Sequence, residues 1–86
     1  MKTLFYQKKM AVIRQLIMSL SKENQDDLEK TMNASMILQD FVENRTTFKL
    51  LVADGNLDLI IRICCEGPSN KQNAPYAKHL LSNILH

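Results

Sequence analysis

The sequence predicts an all-α fold, and three observations support that class. Apolar residues recur at the three- and four-residue spacing of amphipathic helices along most of the chain. Only 2 glycines and 2 prolines occur among 86 residues, which is few for a fold rich in tight turns. The one stretch that is β-branched enough for a buried strand, residues 57–65, has no second candidate strand to pair with. We therefore expect five helices and no sheet.

The first predicted helix runs from Leu4 to Leu20. It ends there because residues 21–25 are polar and interrupt the apolar stripe that a core-facing helix needs. Its stripe consists of Met10, Ile13, Leu16, Ile17 and Leu20.

The second predicted helix extends from a cap at Asp26 to about Glu43. Glu29 stands three residues after Asp26, the spacing of a capping box, and Asp27 adds favourable charge near the helix N-terminus. Its core-facing positions are Ala34, Ile37, Leu38, Phe41 and Val42.

A short third helix follows the connection at residues 44–47, where a threonine can serve as the N-cap. It contains Phe48, Leu51 and Val52. It ends at residues 54–55, Asp-Gly, because glycine readily takes the left-handed conformation found at helix ends.

The fourth predicted helix is capped by Asn56 and ends before Gly67. Residues 69–73 form a polar loop, and Pro75 suits the first turn of a fifth helix that reaches the end of the chain. The stripe of the fifth helix is Ala77, Leu80, Leu81, Ile84 and Leu85.

The two halves of the chain resemble each other at a constant offset of 43 residues, as Ala34 and Ala77 illustrate. Ile17 corresponds to Ile60 at the same offset. Armadillo and HEAT repeats have periods of about 40 to 47 residues and two or three helices per unit. We therefore expect an armadillo/HEAT-like helical repeat, with one unit at about residues 4–53 and a second at about 56–86. Two such units leave outer faces uncovered, so the segment is expected to belong to a longer solenoid or to self-associate.

Charge is unevenly distributed, although the net charge is only +2. Residues 1–22 contain five basic residues and no acid, whereas residues 23–44 contain six acids and one lysine. Two solvated faces attracting each other explain this pattern most simply. A basic amphipathic N-terminus also leaves open a presequence, a membrane-surface helix or a nucleic-acid binder, but acids follow it and no aromatic residues interleave with its charges. No segment is long and apolar enough to span a membrane, and an intracellular, cytoplasmic location is expected.

The sequence offers no arrangement typical of catalysis. His79 lies on the predicted polar side of the last helix and His86 is the terminal residue, so neither has a residue to orient it. Cys64 and Cys65 are adjacent and lack further ligands at metal spacing, so we expect reduced cysteines, one or both packed as small apolar residues. We expect no enzyme, no cofactor and no metal.

One segment resembles a known family. An acidic stretch, residues 25–29, leads into Asn33-Ala34-Ser35 and then into a helix of Leu-x-acid-aliphatic type at residues 38–42. This pattern resembles the SAPS-domain family over roughly residues 9–43. The resemblance implies a helical-repeat scaffold that acts as a regulatory subunit of the type-6 serine/threonine phosphatase. The triplet also suits a structural role, in which the two small residues let helices approach and Asn33 hydrogen-bonds a loop carbonyl.

The leading functional prediction is therefore a non-catalytic protein–protein interaction scaffold, with a serine/threonine phosphatase catalytic subunit as the partner that the resemblance implies. Its predicted contact residues project away from the apolar stripes of the second and last helices. The alternative is a small free-standing helical domain that self-associates. The four predicted contacts are Gln39, Glu43, Lys78 and Ser82, and the alternative dimer surface is Leu4, Phe5, Tyr6 and Met10.

Overall fold

The computed structural model describes residues 4–86, and its five helices confirm the predicted all-α class. Within this range no residue belongs to a strand, and two short 3₁₀ turns connect the helices of each half. The helices are α1 (Leu4–Met18), α2 (Leu28–Glu43), α3 (Arg45–Leu51), α4 (Asn56–Cys64) and α5 (Ala74–Leu85), and the 3₁₀ turns span Lys22–Asn24 and Gly67–Asn70.

The N-terminal caps of α2 and α3 differ from the predicted ones. Asp27 caps α2, because its side chain accepts a hydrogen bond of 3.0 Å from the backbone N–H of Lys30, so the cap predicted at Asp26 is wrong. Asn44 caps α3 by accepting from the backbone N–H of Thr46 at 2.9 Å, so the threonine cap is also wrong. In both cases a neighbouring side chain that is equally able to cap takes the position.

The start of α4 also corrects a prediction. Gly55, at φ +83°, precedes the helix in the left-handed conformation, and Asn56 is its first residue rather than its cap. The Asn56 side chain is buried, where it donates a hydrogen bond to the carbonyl of Leu50 and accepts one from Arg14 Nε. Asn56 therefore connects α4 to α1 and α3 instead of capping its own helix.

The helices form two pairs that lie side by side. In the first pair α1 packs against α2, and in the second pair α4 packs against α5. Across the pairs, α2 packs against α5 and α1 against α4, while α3 lies mainly against α2. The shared core consists of Met10, Ile13, Ile17, Leu20, Leu38, Leu51, Ile60, Ile63, Ala77 and Leu80.

Several hydrogen bonds between the two pairs join residues whose separation is close to 43. Arg14 bonds to Asn56, 42 residues away, and Thr31 bonds to Asn73 at the same separation. A separation of 44 links Gln25 to the carbonyl of Ser69. Other bonds between the pairs have longer separations, such as 50 from Asn70 to Leu20 and 52 from Asn73 to Ser21.

Candidate functional site

Three of the four predicted contact residues lie on the surface. Glu43 on α2 and Lys78 and Ser82 on α5 are exposed. Gln39 is half-buried instead, because it faces α5, where Asn83 Nδ2 donates a hydrogen bond to its side-chain oxygen. Gln39 therefore joins the two helical pairs, and the contact role of the other three residues stays a prediction.

The triplet Asn33-Ala34-Ser35 divides between core and surface. Ala34 and Ser35 are buried, as expected of small residues between packed helices, whereas Asn33 is exposed. The role expected of Asn33, bonding loop carbonyls, belongs to two buried residues in the second half. Asn73 Nδ2 donates to the carbonyl of Ser21 at 2.9 Å, and Asn70 Nδ2 donates to that of Leu20 at 3.0 Å.

Two grooves run between α1 and α2 on the side that faces away from α4 and α5. The larger, of about 830 Å³, is lined by apolar Leu16 and Ile37 and has Asp27 and Glu29 at one end. The smaller, of about 420 Å³, extends to α3. Val12 lines both grooves, so they form one surface, which we call the outer face. The smaller groove is lined by Phe5, Lys8, Lys9, Val12, Ile13, Phe41, Thr47 and Leu50.

The exposure of corresponding positions shows which side of each helical pair is covered by the other pair. Leu80 on α5 is 0% exposed, whereas Ile37, which lies 43 residues earlier on α2, is 42% exposed. Asn73 is also fully buried, and it bonds to Thr31 and to the carbonyl of Ser21 in the first half. The first pair thus covers this side of the second pair, while the same side of the first pair is open.

The outer face is basic at one end. Lys8 and Lys9 are exposed at the smaller groove, and α1 carries no acidic residue. The Nζ of Lys9 lies 4.5 Å from the centroid of the Phe5 ring, a cation–π contact that holds this ammonium beside the groove. Asp27, Glu29 and Lys30 line the larger groove at the opposite end, where the acids outnumber the single lysine, so the two ends of the outer face differ in charge.

A second apolar stripe on α2 was not predicted. Leu28, Met32 and Met36 follow one another at four-residue spacing and are 46%, 44% and 66% exposed. Exposed methionines are common at surfaces that bind other proteins, because the side chain is flexible and polarizable. The spacing is visible in the sequence, so a search for a second stripe on this helix could have found it.

The predicted dimer surface is only partly available. Leu4 and Phe5 are exposed, but Met10 lies in the core. The Tyr6 hydroxyl donates a hydrogen bond of 2.9 Å to Asp54. Two of the four residues are therefore already used within the chain.

The cysteines are free thiols, and Cys64 packs against the core while Cys65 is exposed. Burial, and secondarily the neighbouring Cys65, raises the pKa of the Cys64 thiol, although the nearby Lys78 opposes this. Among residues 4–86 no three His, Cys, Asp or Glu side chains are grouped closely enough to hold a metal ion. No helix in the described range is long and apolar enough to cross a membrane.

Comparisons with protein-family models, with curated proteins and with solved structures find no match to this chain. The resemblance to the SAPS-domain family therefore stays a prediction that depends on residues 25–42. Two features of the structure bear on function: the packing of the two helical pairs and the outer face.

Proposed function

We propose that the chain is a non-catalytic protein-interaction scaffold, built from two stacked helical units of the armadillo/HEAT-like type. The observation that carries this proposal is the contrast between Ile37 and Leu80, which correspond at the 43-residue offset but differ in exposure, 42% against 0%. In a stack of helical units, each unit covers one face of the next. The first unit then keeps an open stacking face, and an apolar open face is a candidate binding surface.

The hydrogen bonds between the pairs support the repeat interpretation. Stacking two equivalent units places corresponding positions near each other, and several of the bonds between the pairs join residues 42 to 44 apart. The proposed unit boundaries, at about residues 4–53 and 56–86, place α1, α2 and α3 in the first unit and α4 and α5 in the second. Each of these bonds then joins one unit to the other. The far end of the stack is also partly apolar, with Ile61 40% and Leu85 68% exposed.

The resemblance of residues 9–43 to the SAPS-domain family is the basis for the proposed partner. It favours the catalytic subunit of a type-6 serine/threonine phosphatase as the protein bound by the scaffold. The larger groove of the outer face includes Asn33 and lies within the segment that carries the resemblance, residues 9–43.

Binding of the purified phosphatase catalytic subunit tests this proposal. We expect Ile37→Asp to weaken binding about tenfold or more, because a carboxylate then replaces one of the apolar side chains of the larger groove. Ile61→Asp is the matched control, since Ile61 is 40% exposed on α4, away from the outer face. No binding of the unsubstituted chain, or equal losses in the two variants, would contradict the proposal.

Self-association is a second candidate function, favoured by the exposure of Leu4 and Phe5 at 66% and 67%. Sedimentation equilibrium across a wide range of concentrations distinguishes it from the scaffold. A concentration-dependent dimer that Phe5→Asp abolishes supports self-association. A monomer at all concentrations supports a scaffold whose partner is a different protein.

A further inference from the structure

We propose that the basic end of the outer face binds an acidic amphipathic segment of a partner protein. The inference rests on the proposed function, which makes the outer face the partner-binding surface, and adds the chemistry of the partner. The segment would insert apolar side chains into the smaller groove and direct carboxylates toward Lys8 and Lys9.

The shape and lining of the smaller groove determine the apolar part of the segment. Aromatic Phe5 and Phe41 lie at this groove with the aliphatic Val12, Ile13 and Leu50. A volume of about 420 Å³ is within the range of sites that enclose a ligand, and it accommodates a few side chains rather than a whole domain. An amphipathic helix meets such a groove with anchors three and four residues apart.

The charges determine the polar part of the segment. Lys8 and Lys9 border the groove, and the contact between Lys9 and the Phe5 ring keeps one ammonium beside the apolar surface. A carboxylate adjacent to a buried apolar anchor would meet these ammonium groups. Such pairs contribute more to association rate and specificity than to affinity, so binding should weaken as salt concentration rises.

The rest of the surface favours a peptide over other occupants. At the other end of the outer face Asp27 and Glu29 outnumber Lys30, which interrupts the extended basic surface that an anionic membrane or a phosphate backbone needs. A second copy docking through the side of α4 that carries Ile61 would bring the exposed Asp58 and Arg62, whose charges cancel and so do not complement two lysines. A short acidic segment matches the basic end without reaching the acidic one.

A labelled synthetic peptide of about 14 residues tests the inference, with leucine at helical three- and four-residue spacing and glutamate at the remaining positions. The control peptide has lysine in place of every glutamate. Fluorescence anisotropy should show saturable binding of the glutamate peptide that weakens with added salt, and no binding of the lysine peptide. Equal binding of both peptides, or no binding of either, would overturn the inference.

Variants of the full chain assign the binding to the groove. The double substitution Lys8→Glu and Lys9→Glu should lower affinity for the glutamate peptide about tenfold or more. Lys71→Glu with Lys78→Glu is the matched control, because it makes the same change in net charge at exposed positions outside the groove. Circular dichroism checks that both variants keep their helices. Equal affinities of the two variants would overturn the assignment.

Two further outcomes separate this inference from the proposed function. Binding of the glutamate peptide without binding of the phosphatase subunit would refute only the phosphatase partner. Binding of the phosphatase subunit that the lysine substitutions leave unchanged would refute only the acidic-segment inference. Binding to vesicles that contain phosphatidylserine, with no binding of the peptide, would replace the inference with a membrane-surface role.

Discussion

Substitutions of Asn73 test whether polar bonds hold the two helical pairs together. Its side chain is fully buried between them. The Nδ2 group donates to the carbonyls of Ser21 at 2.9 Å and of Ser19 at 3.5 Å, and the Oδ1 atom accepts from the Thr31 hydroxyl at 3.0 Å. We compare Asn73→Ala, which removes these bonds, with Asn73→Asp, which keeps the shape but replaces the donor by an acceptor.

The expected costs follow from the partners that remain. In Asn73→Ala the Thr31 hydroxyl still has the carbonyls of Ser19 and Asp27 within 3.1 Å, and the Ser21 carbonyl still accepts from the backbone N–H of Asn24. Three hydrogen bonds are lost without leaving a group unpaired, so the free energy of unfolding should fall by about 1 to 3 kcal/mol.

In Asn73→Asp a buried carboxylate faces the Ser21 carbonyl without a donor between them. The free energy of unfolding should therefore fall by about 3 to 5 kcal/mol. A domain of this length is stable by only about 4 to 13 kcal/mol, so this loss removes a large fraction of its stability.

Urea unfolding followed by circular dichroism measures both losses. Asn33→Ala and Asn33→Asp are the matched controls, because Asn33 is exposed on α2, and both should change stability by less than about 0.5 kcal/mol. If Asn73 contributed only packing volume, the aspartate variant would be more stable than the alanine variant. That order would refute the hydrogen-bond interpretation.

Three other predictions concern single residues. Asp27→Ala should lower the free energy of unfolding by about 1 kcal/mol through loss of the α2 cap, while Asp26→Ala should leave it within about 0.5 kcal/mol; urea unfolding compares them. Gly55→Ala should lower the free energy of unfolding by about 1 kcal/mol in the same assay, because alanine is strained at a φ of +83°. The loss should not be larger, since no atom of the described residues lies within 4 Å of an added methyl group. Cys64 should react with iodoacetamide more slowly than free cysteine at pH 8, since burial raises the pKa of its thiol and lowers the fraction of thiolate. Mass spectrometry of a Cys65→Ser variant measures the rate, and a rate equal to that of free cysteine would contradict the prediction.

The helices were predictable because each is long enough to show its own apolar period. Their caps were less predictable, since residues 26–27 and 44–47 each offer neighbouring side chains that cap equally well. Only the backbone conformation, which depends on how the connection enters the helix, selects Asp27 and Asn44. Sequence spacing alone contains no information on that choice.

The buried asparagines and the outer face depend on contacts between distant segments. Asn70 and Asn73 occupy what the sequence presents as a polar loop, and a buried asparagine there has the same local pattern as an exposed one. The apolar period places Ile37 in a core-facing stripe, but its side chain is 42% exposed because no residue of the described range 4–86 covers that side of the first pair. Ile37 and Leu80 have the same place in the apolar period of their helices. They differ only in whether another helical pair packs over them.

The stability effects of Ile37→Ala and Leu80→Ala test the central claim most directly, namely that corresponding residues are covered in the second pair and open in the first. Leu80→Ala should lower the free energy of unfolding by about 2 to 5 kcal/mol, because it opens a cavity at a fully buried site. Ile37→Ala should lower it by less than about 1 kcal/mol, since that side chain is 42% exposed. Equal losses in urea unfolding would mean that both sites are equally buried in solution, and would contradict the open outer face.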